Sequence, residues 1–168
     1  MRSTLCGLLA ATLLAGCASF SDSGLVVGQS TGAEVIAKFG QPANRVVKPD
    51  GGSVLYYPQG PMGHTTYAVA LGADGRLQAI EQRLTDANFA KITPGTTTKQ
   101  QVLELLGPSF IHTGSTWQGR DIWEYKLPID TTRYVLWVEF SSGDGIVRSV
   151  AKVSDPEWEM GRGSDSHK

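Results

Sequence analysis

The side chains able to do acid–base, nucleophilic or metal chemistry are few and scattered. Three histidines occur: His64 in the Gly/Pro-rich stretch "PQGPMGHTT", His112 in a strand-like run, and His167 near the C-terminus. None belongs to a helical metal motif, so each is expected to be solvated or locally bonded, with no metal held. No serine occupies a Gly-x-Ser-x-Gly turn, and no Gly-rich phosphate loop is present. Glu34, Glu81, Glu104, Glu124 and Glu139 have no spacing that pairs them for general acid–base work. The expectation is a protein without catalysis or cofactor. A hydrolase using His64 or His112 is the competing class, and replacing both with alanine separates the two.

The remaining reactive group is a thiol. Cys6 and Cys17 are the two cysteines, and both lie in or just after an N-terminal apolar run. Residues 1–4 bring one arginine and the free amine, and residues 5–14 form an apolar block of about ten, the pattern of a cleaved signal peptide. Such a block is too short for the roughly 20 residues that a permanent transmembrane helix needs. The four residues Leu14, Ala15, Gly16 and Cys17 resemble the lipobox of bacterial lipoproteins. The resemblance implies diacylglycerol on the Cys17 thiol, cleavage of residues 1–16, and acylation of the new amino terminus with a fatty acid such as palmitate. Two or three chains, at about 0.8 kcal/mol per buried methylene, make a lasting anchor. Ala18 stands where aspartate would signal inner-membrane retention in that family, so the expected location is the periplasmic face of the outer membrane.

Without residues 1–16, Cys17 is the only cysteine and no intramolecular disulfide can form. Residues 17–27 read as a lipidated tether, and residues 161–168 ("GRGSDSHK") as a disordered tail. The formal net charge is −1 with no dense basic run, which argues against nucleic acid as a partner. No small-molecule substrate is evident.

Between tether and tail the chain repeats itself. A shift of 67 carries Gly28, Thr31, Val35, Gly40 and Tyr67 onto Gly95, Thr98, Val102, Gly107 and Tyr134, with Tyr56 falling on Trp123. After a three-residue insertion Asp74-Gly75 meets Asp144-Gly145 and Ile80 meets Val150. Thr31 with Glu34, and Thr98 with Gln101, match the capping box. Each opens a short helix whose apolar residues, Val35, Ile36 and Phe39 or Val102, Leu103 and Leu106, share one face. Gly40 and Gly107 end it, with Pro42 and Pro108 beyond. Such short helices need a surface to pack on.

Alternating apolar runs separated by turn signals supply that surface. Residues 45–48, 53–57, 65–71 and 77–83 form the first set, and 110–114, 121–127, 132–140 and 146–153 the second. In "RYVLWVEF" Tyr134, Leu136, Val138 and Phe140 share a face, with Val135 and Trp137 on the other. Capped helical turns are expected at 85–92 and 154–158, while the first unit lacks a clear leading helix. The fold class is therefore α+β: two tandem repeats, residues 28–84 and 85–160, each a short helix or helix-loop-helix on a four-stranded antiparallel sheet.

The segment "LTDANFAKITPGTTTKQQVLELLGPS" resembles the opening of the SmpA/OmlA domain, the BamE-like family of outer-membrane assembly lipoproteins. Ile92, Pro94-Gly95, Thr98, Val102 and Gly107-Pro108 carry the likeness, and Gly28, Thr31, Val35, Gly40 and Pro42 carry a weaker one in the first unit. BamE has a single unit, so the duplication is a departure; the tandem arrangement is similar in fold to the beta-lactamase inhibitor protein family. The resemblance implies a non-catalytic outer-membrane lipoprotein that binds or scaffolds an envelope protein in envelope biogenesis, with outer-membrane protein assembly as the process the family suggests. The alternative is a lipid-anchored inhibitor or sensor of a periplasmic enzyme. Most aromatics, including Tyr67, Tyr134 and Trp123, are expected in the core. The candidate contact residues are Pro58, Met62 and His64 in the loop 58–66, and Trp117 in a second turn, because binding residues concentrate on loops held by rigid scaffolds.

Overall fold

A computed structural model describes residues 23–60, 63–109, 111–113, 120–128 and 133–157. Helix α1 (Gly32–Phe39) is followed by β1 (Asn44–Val47), β2 (Ser53–Gln59), β3 (Thr65–Leu71) and β4 (Leu77–Gln82). The second series is α2 (Asp86–Phe89), α3 (Lys99–Leu106), β5 (Ile111–Thr113), β6 (Arg120–Lys126), β7 (Tyr134–Ser141) and β8 (Val147–Ser154). The strands make two antiparallel four-stranded sheets, each a meander in chain order. The α+β reading with two repeats on sheets is correct.

Local chemistry starts both long helices in the same way. Thr31 N–H donates to Glu34 Oε2 at 2.6 Å, and Thr31 Oγ1 accepts from Glu34 N–H at 3.3 Å. Thr98 and Gln101 repeat the exchange at 2.8 and 3.2 Å. Both helices stop at a glycine in the left-handed region, Gly40 at φ 81° and Gly107 at φ 85°, where a side chain would be strained. The cap amides bond Ile36 O and Leu103 O, each at 2.8 Å.

Each helix lies on the front of its own sheet. Val35 packs with Leu55, Tyr57, Val69, Leu71 and Leu77. Val102 and Leu106 pack with Trp123, Tyr125, Leu136, Val138 and Phe140. Tyr57 and Tyr125 each donate to the carbonyl of the helix-ending glycine, at 3.2 and 3.0 Å, tying helix to sheet.

These pairs correct the alignment of the repeats. Tyr125, and not Glu124, is the partner of Tyr57, an offset of 68. The next strands carry an offset of 69, since Val69 pairs with Leu55 as Val138 pairs with Trp123, and register shifts fall at Ala70/Leu71 and Glu139/Phe140. Leu77 and Val147, opposite Leu71 and Phe140, restore an offset of 70. The three extra residues therefore enter one at a time. Tyr56 and Trp123 consequently face opposite ways: Tyr56 belongs to the back of the first sheet and Trp123 to the front of the second. Tyr134 is 39% exposed and does not match half-buried Tyr67, which packs on the first core. Its place at the strand end removes it from the core, while Trp123 and Tyr67 lie where expected.

Leading elements differ. Thr85 caps α2 through Asn88 N–H at 3.3 Å, and Phe89, Leu84 and Ile92 join the second core. In the first repeat residues 23–30 contain no helix, and Leu25 takes the place of Ile92, 67 residues later. Near the C-terminus Ser154 closes β8, and Asp155 accepts from Glu157 N–H at 3.0 Å. Asp155 therefore caps the turn expected over 154–158, whose Trp158 lies outside the described residues.

The repeats join through α3, whose second side meets the back of the first sheet. Tyr56 Oη donates to Glu104 O at 2.6 Å. A Cβ placed on Gly107 would stand 2.8 Å from Thr66 Cγ2 and 2.9 Å from Tyr56 Cδ1, so only glycine allows this approach. The layers run α1, first sheet, α2–α3, second sheet.

Candidate functional site

Of the residues singled out for contact, the structure describes Pro58 and His64. Pro58 lies in β2, half-buried and paired with Thr66. His64 is half-buried, its Nδ1 3.1 Å from Leu127 O, so this end of the loop helps join the repeats. Met62 and Trp117 lie outside the described residues, as does Cys17.

The two central histidines are apart. His112 is exposed and stacks on Trp123 at 5.4 Å between centroids, with Nε2 3.2 Å from Ser109 O. Trp123 and Leu127 are four residues apart in sequence, roughly 13 Å along an extended chain. Among the described residues no three His, Cys, Asp or Glu side chains gather as metal ligands, and no helix is long and apolar enough to cross a membrane.

An open cleft of about 540 Å³ lies beside α3, lined by Lys91, Thr93, Thr96, Thr97, Gln101 and Glu104. Its polar groups are engaged locally. Thr97 Oγ1 accepts from Thr93 N–H at 2.8 Å, Thr96 Oγ1 donates to Thr93 O at 3.2 Å, and Lys91 Nζ donates to Asn88 Oδ1 at 2.9 Å. These contacts shape the turn before α3 rather than a converging set of donors.

A buried ion cluster occupies the back of the second sheet. Lys126 Nζ meets Asp155 Oδ1 at 3.0 Å, Glu157 Oε2 at 3.1 Å and Glu124 Oε1 at 3.1 Å. Glu124 also accepts from Trp137 Nε1 at 2.7 Å. Burial opposes the lysine charge, and the hydrogen bonds to Asp155, Glu157 and Glu124 outweigh it, holding the Lys126 pKa above its ordinary value. Alternation along β6 sets Lys126 on the face opposite the core residues Trp123, Tyr125 and Leu127, and the one sequence signal for its pairing is Glu124 two residues away on the same face.

The surface best formed to receive something is the free edge of the first sheet. Lys48 N–H donates to Gly52 O at the hairpin end. The alternation of an antiparallel ladder then directs the amides of Val46 and Asn44 to β2 and turns N–H and C=O of Arg45 and Val47 outward. The opposite edge, β4, is partly covered, because Leu77 exchanges bonds with Gly28 and Ser30. Beside β1 runs a groove of about 150 Å³ lined by Val46, Val47, Lys48, Pro49, Val54, Tyr56, Arg83 and Glu104. Val47 is 68% exposed. Arg83 holds Glu81 at 3.0 Å, and its buried Nε has no partner among the described residues. Arg45 and Lys48 join no ion pair among the described residues. Burial pushes the Tyr56 hydroxyl up to about 12, nearby Arg83 pulling it down and Glu104 raising it. The edge thus offers unpaired backbone, an apolar floor and a positive rim.

No family model matches this chain, and no curated protein does. Among solved structures it is similar to a DUF4309 family protein, YjgB of Bacillus subtilis, at 21% identity over 79% of this chain and 83% of that one, with a TM-score of 0.31.

Proposed function

We propose that this chain is a non-catalytic lipoprotein of the SmpA/OmlA kind, anchored through lipid on Cys17 to the periplasmic face of the outer membrane, and that it binds an extended segment of an envelope protein along β1. The lipobox-like residues 14–17 support the anchor. The observation that carries the binding role is the outward backbone of Arg45 and Val47 beside the groove. Strand addition takes affinity from such backbone groups and specificity from alternate side-chain pockets. Arg45, Lys48 and Arg83 against Glu104 favour a segment carrying acidic side chains, and the like charges of β1 oppose pairing with a second copy.

Val47→Pro removes an outward N–H and leaves the bonds to β2 in place. Affinity isolation from solubilised outer membranes should recover a stoichiometric partner with the native chain and at least several-fold less with the variant, at a nearly unchanged melting temperature. Equal recovery by a folded variant defeats the edge as the binding surface.

A further inference from the structure

Where the chain enters the fold bears on how the body stands at the membrane. Ser23 is buried, and a Cβ on Gly24 would lie 4.0 Å from Lys38 Nζ, so the chain arrives beside the last turn of α1. Leu25 then packs into the first core, and Val26 and Val27 follow at 48% and 60% exposure. Arg76 reaches this turn, its Nη1 donating to Gln29 O at 2.7 Å. Exposed valines with basic Lys38 and Arg76 nearby suit a headgroup surface, where apolar groups sink shallowly and cations meet phosphate.

Chain length sets the reach. Six residue steps separate Cys17 from Ser23, and whatever their conformation they span at most about 20 Å. Layers of helix and sheet stack about 10 Å apart, so the second sheet lies roughly 30 Å beyond α1. A lipid on Cys17 cannot bring the far face of that sheet to the bilayer.

We infer that the α1 side of the first repeat, with the turn at Val26 and Val27, is the surface held against the lipid headgroups, and that the second sheet points into the periplasm. This rests on the lipid anchor at Cys17. It leaves β1 one layer above the membrane and open from the side.

A photoreactive amino acid at Val27 or Ala37, both exposed, should form phospholipid adducts when the full-length protein is irradiated in its own membranes. The same residue at Ser149 or Ala151, exposed on the far face of β8, should give at least several-fold fewer. Equal lipid adducts at both sets, or adducts to protein alone at Val27 and Ala37, overturn the orientation. Mass measurement of the same samples reports separately whether Cys17 carries lipid. Should it not, the Cys6→Ser chain coupled through Cys17 to a maleimide phospholipid in vesicles puts the orientation to the same crosslinking test.

Discussion

The back of the first sheet carries Val54, Tyr56 and Ala68 beneath α3, while the matching positions of the second carry Ile122, Glu124 and Trp137, with Lys126 beside them. The fronts are alike: a capped helix on an apolar sheet, fastened by a tyrosine to a glycine carbonyl. Front residues are held by a partner within the repeat, so duplication preserved their types. Back residues answer to whatever lies over them. In the first repeat that is a helix, and the surface is apolar with one hydroxyl satisfied by a backbone carbonyl. In the second it is the residues that follow β8, and the surface is an ion cluster.

Removing the lysine from that cluster tests the contrast most severely. Lys126→Met keeps most of the packing but leaves Glu124 and Asp155, 11% and 7% exposed, without their cation. The expected loss is about 3–5 kcal/mol in urea unfolding, as for other broken buried pairs. A loss below about 1 kcal/mol would mean that water screens the cluster as at an open surface.

The two helix-ending glycines sharpen the comparison. Gly40→Ala meets nothing within 4 Å and should cost only the positive-φ, extended backbone at φ 81° and ψ −170°, about 1–3 kcal/mol. Gly107→Ala, with the same backbone at φ 85° and ψ −174°, adds a clash with Thr66 and Tyr56 and should cost about 2–6 kcal/mol. Equal losses, measured side by side in urea, would place no close contact between α3 and the first sheet.

The smallest effect at neutral pH belongs to Tyr56. Losing its bond to Glu104 O through Tyr56→Phe should cost about 1 kcal/mol. The native tyrosine has its folded pKa raised from 10.0 to about 12. Its contribution is complete below the unfolded value and is lost as pH rises from about 10 to about 12. The alkaline fall in stability, on the order of 2 kcal/mol, should therefore be shallower in the variant; identical pH profiles would remove Tyr56 from the buried junction.

Helix starts and stops were legible because threonine, glutamate or glutamine, and glycine act locally, and the hairpins because turns and alternation are local too. Tyr134 misled because alternation fixes the face of a residue but not how far the cover extends along the strand. Lys126 was hidden for the converse reason: its partners Asp155 and Glu157 lie 29 and 31 residues away. The second contact of α3 left no apolar stripe to read, since it is made by a carbonyl oxygen and a missing side chain. The free edge of β1 was unreadable until strand order made it terminal.

Because α3 serves both sheets, the order in which the chain is made matters. The first repeat is complete through Gln82 before the residues that cover Val54, Tyr56 and Ala68 have followed. Until they do, it carries an uncovered apolar surface of the kind that holds partly folded chains open to chaperones and to aggregation. The second repeat leaves less apolar surface waiting, since the back of its sheet carries the charged Glu124 and Lys126. A fragment ending near residue 84 should therefore be the less soluble half, and maturation of the whole should wait on the arrival of α3.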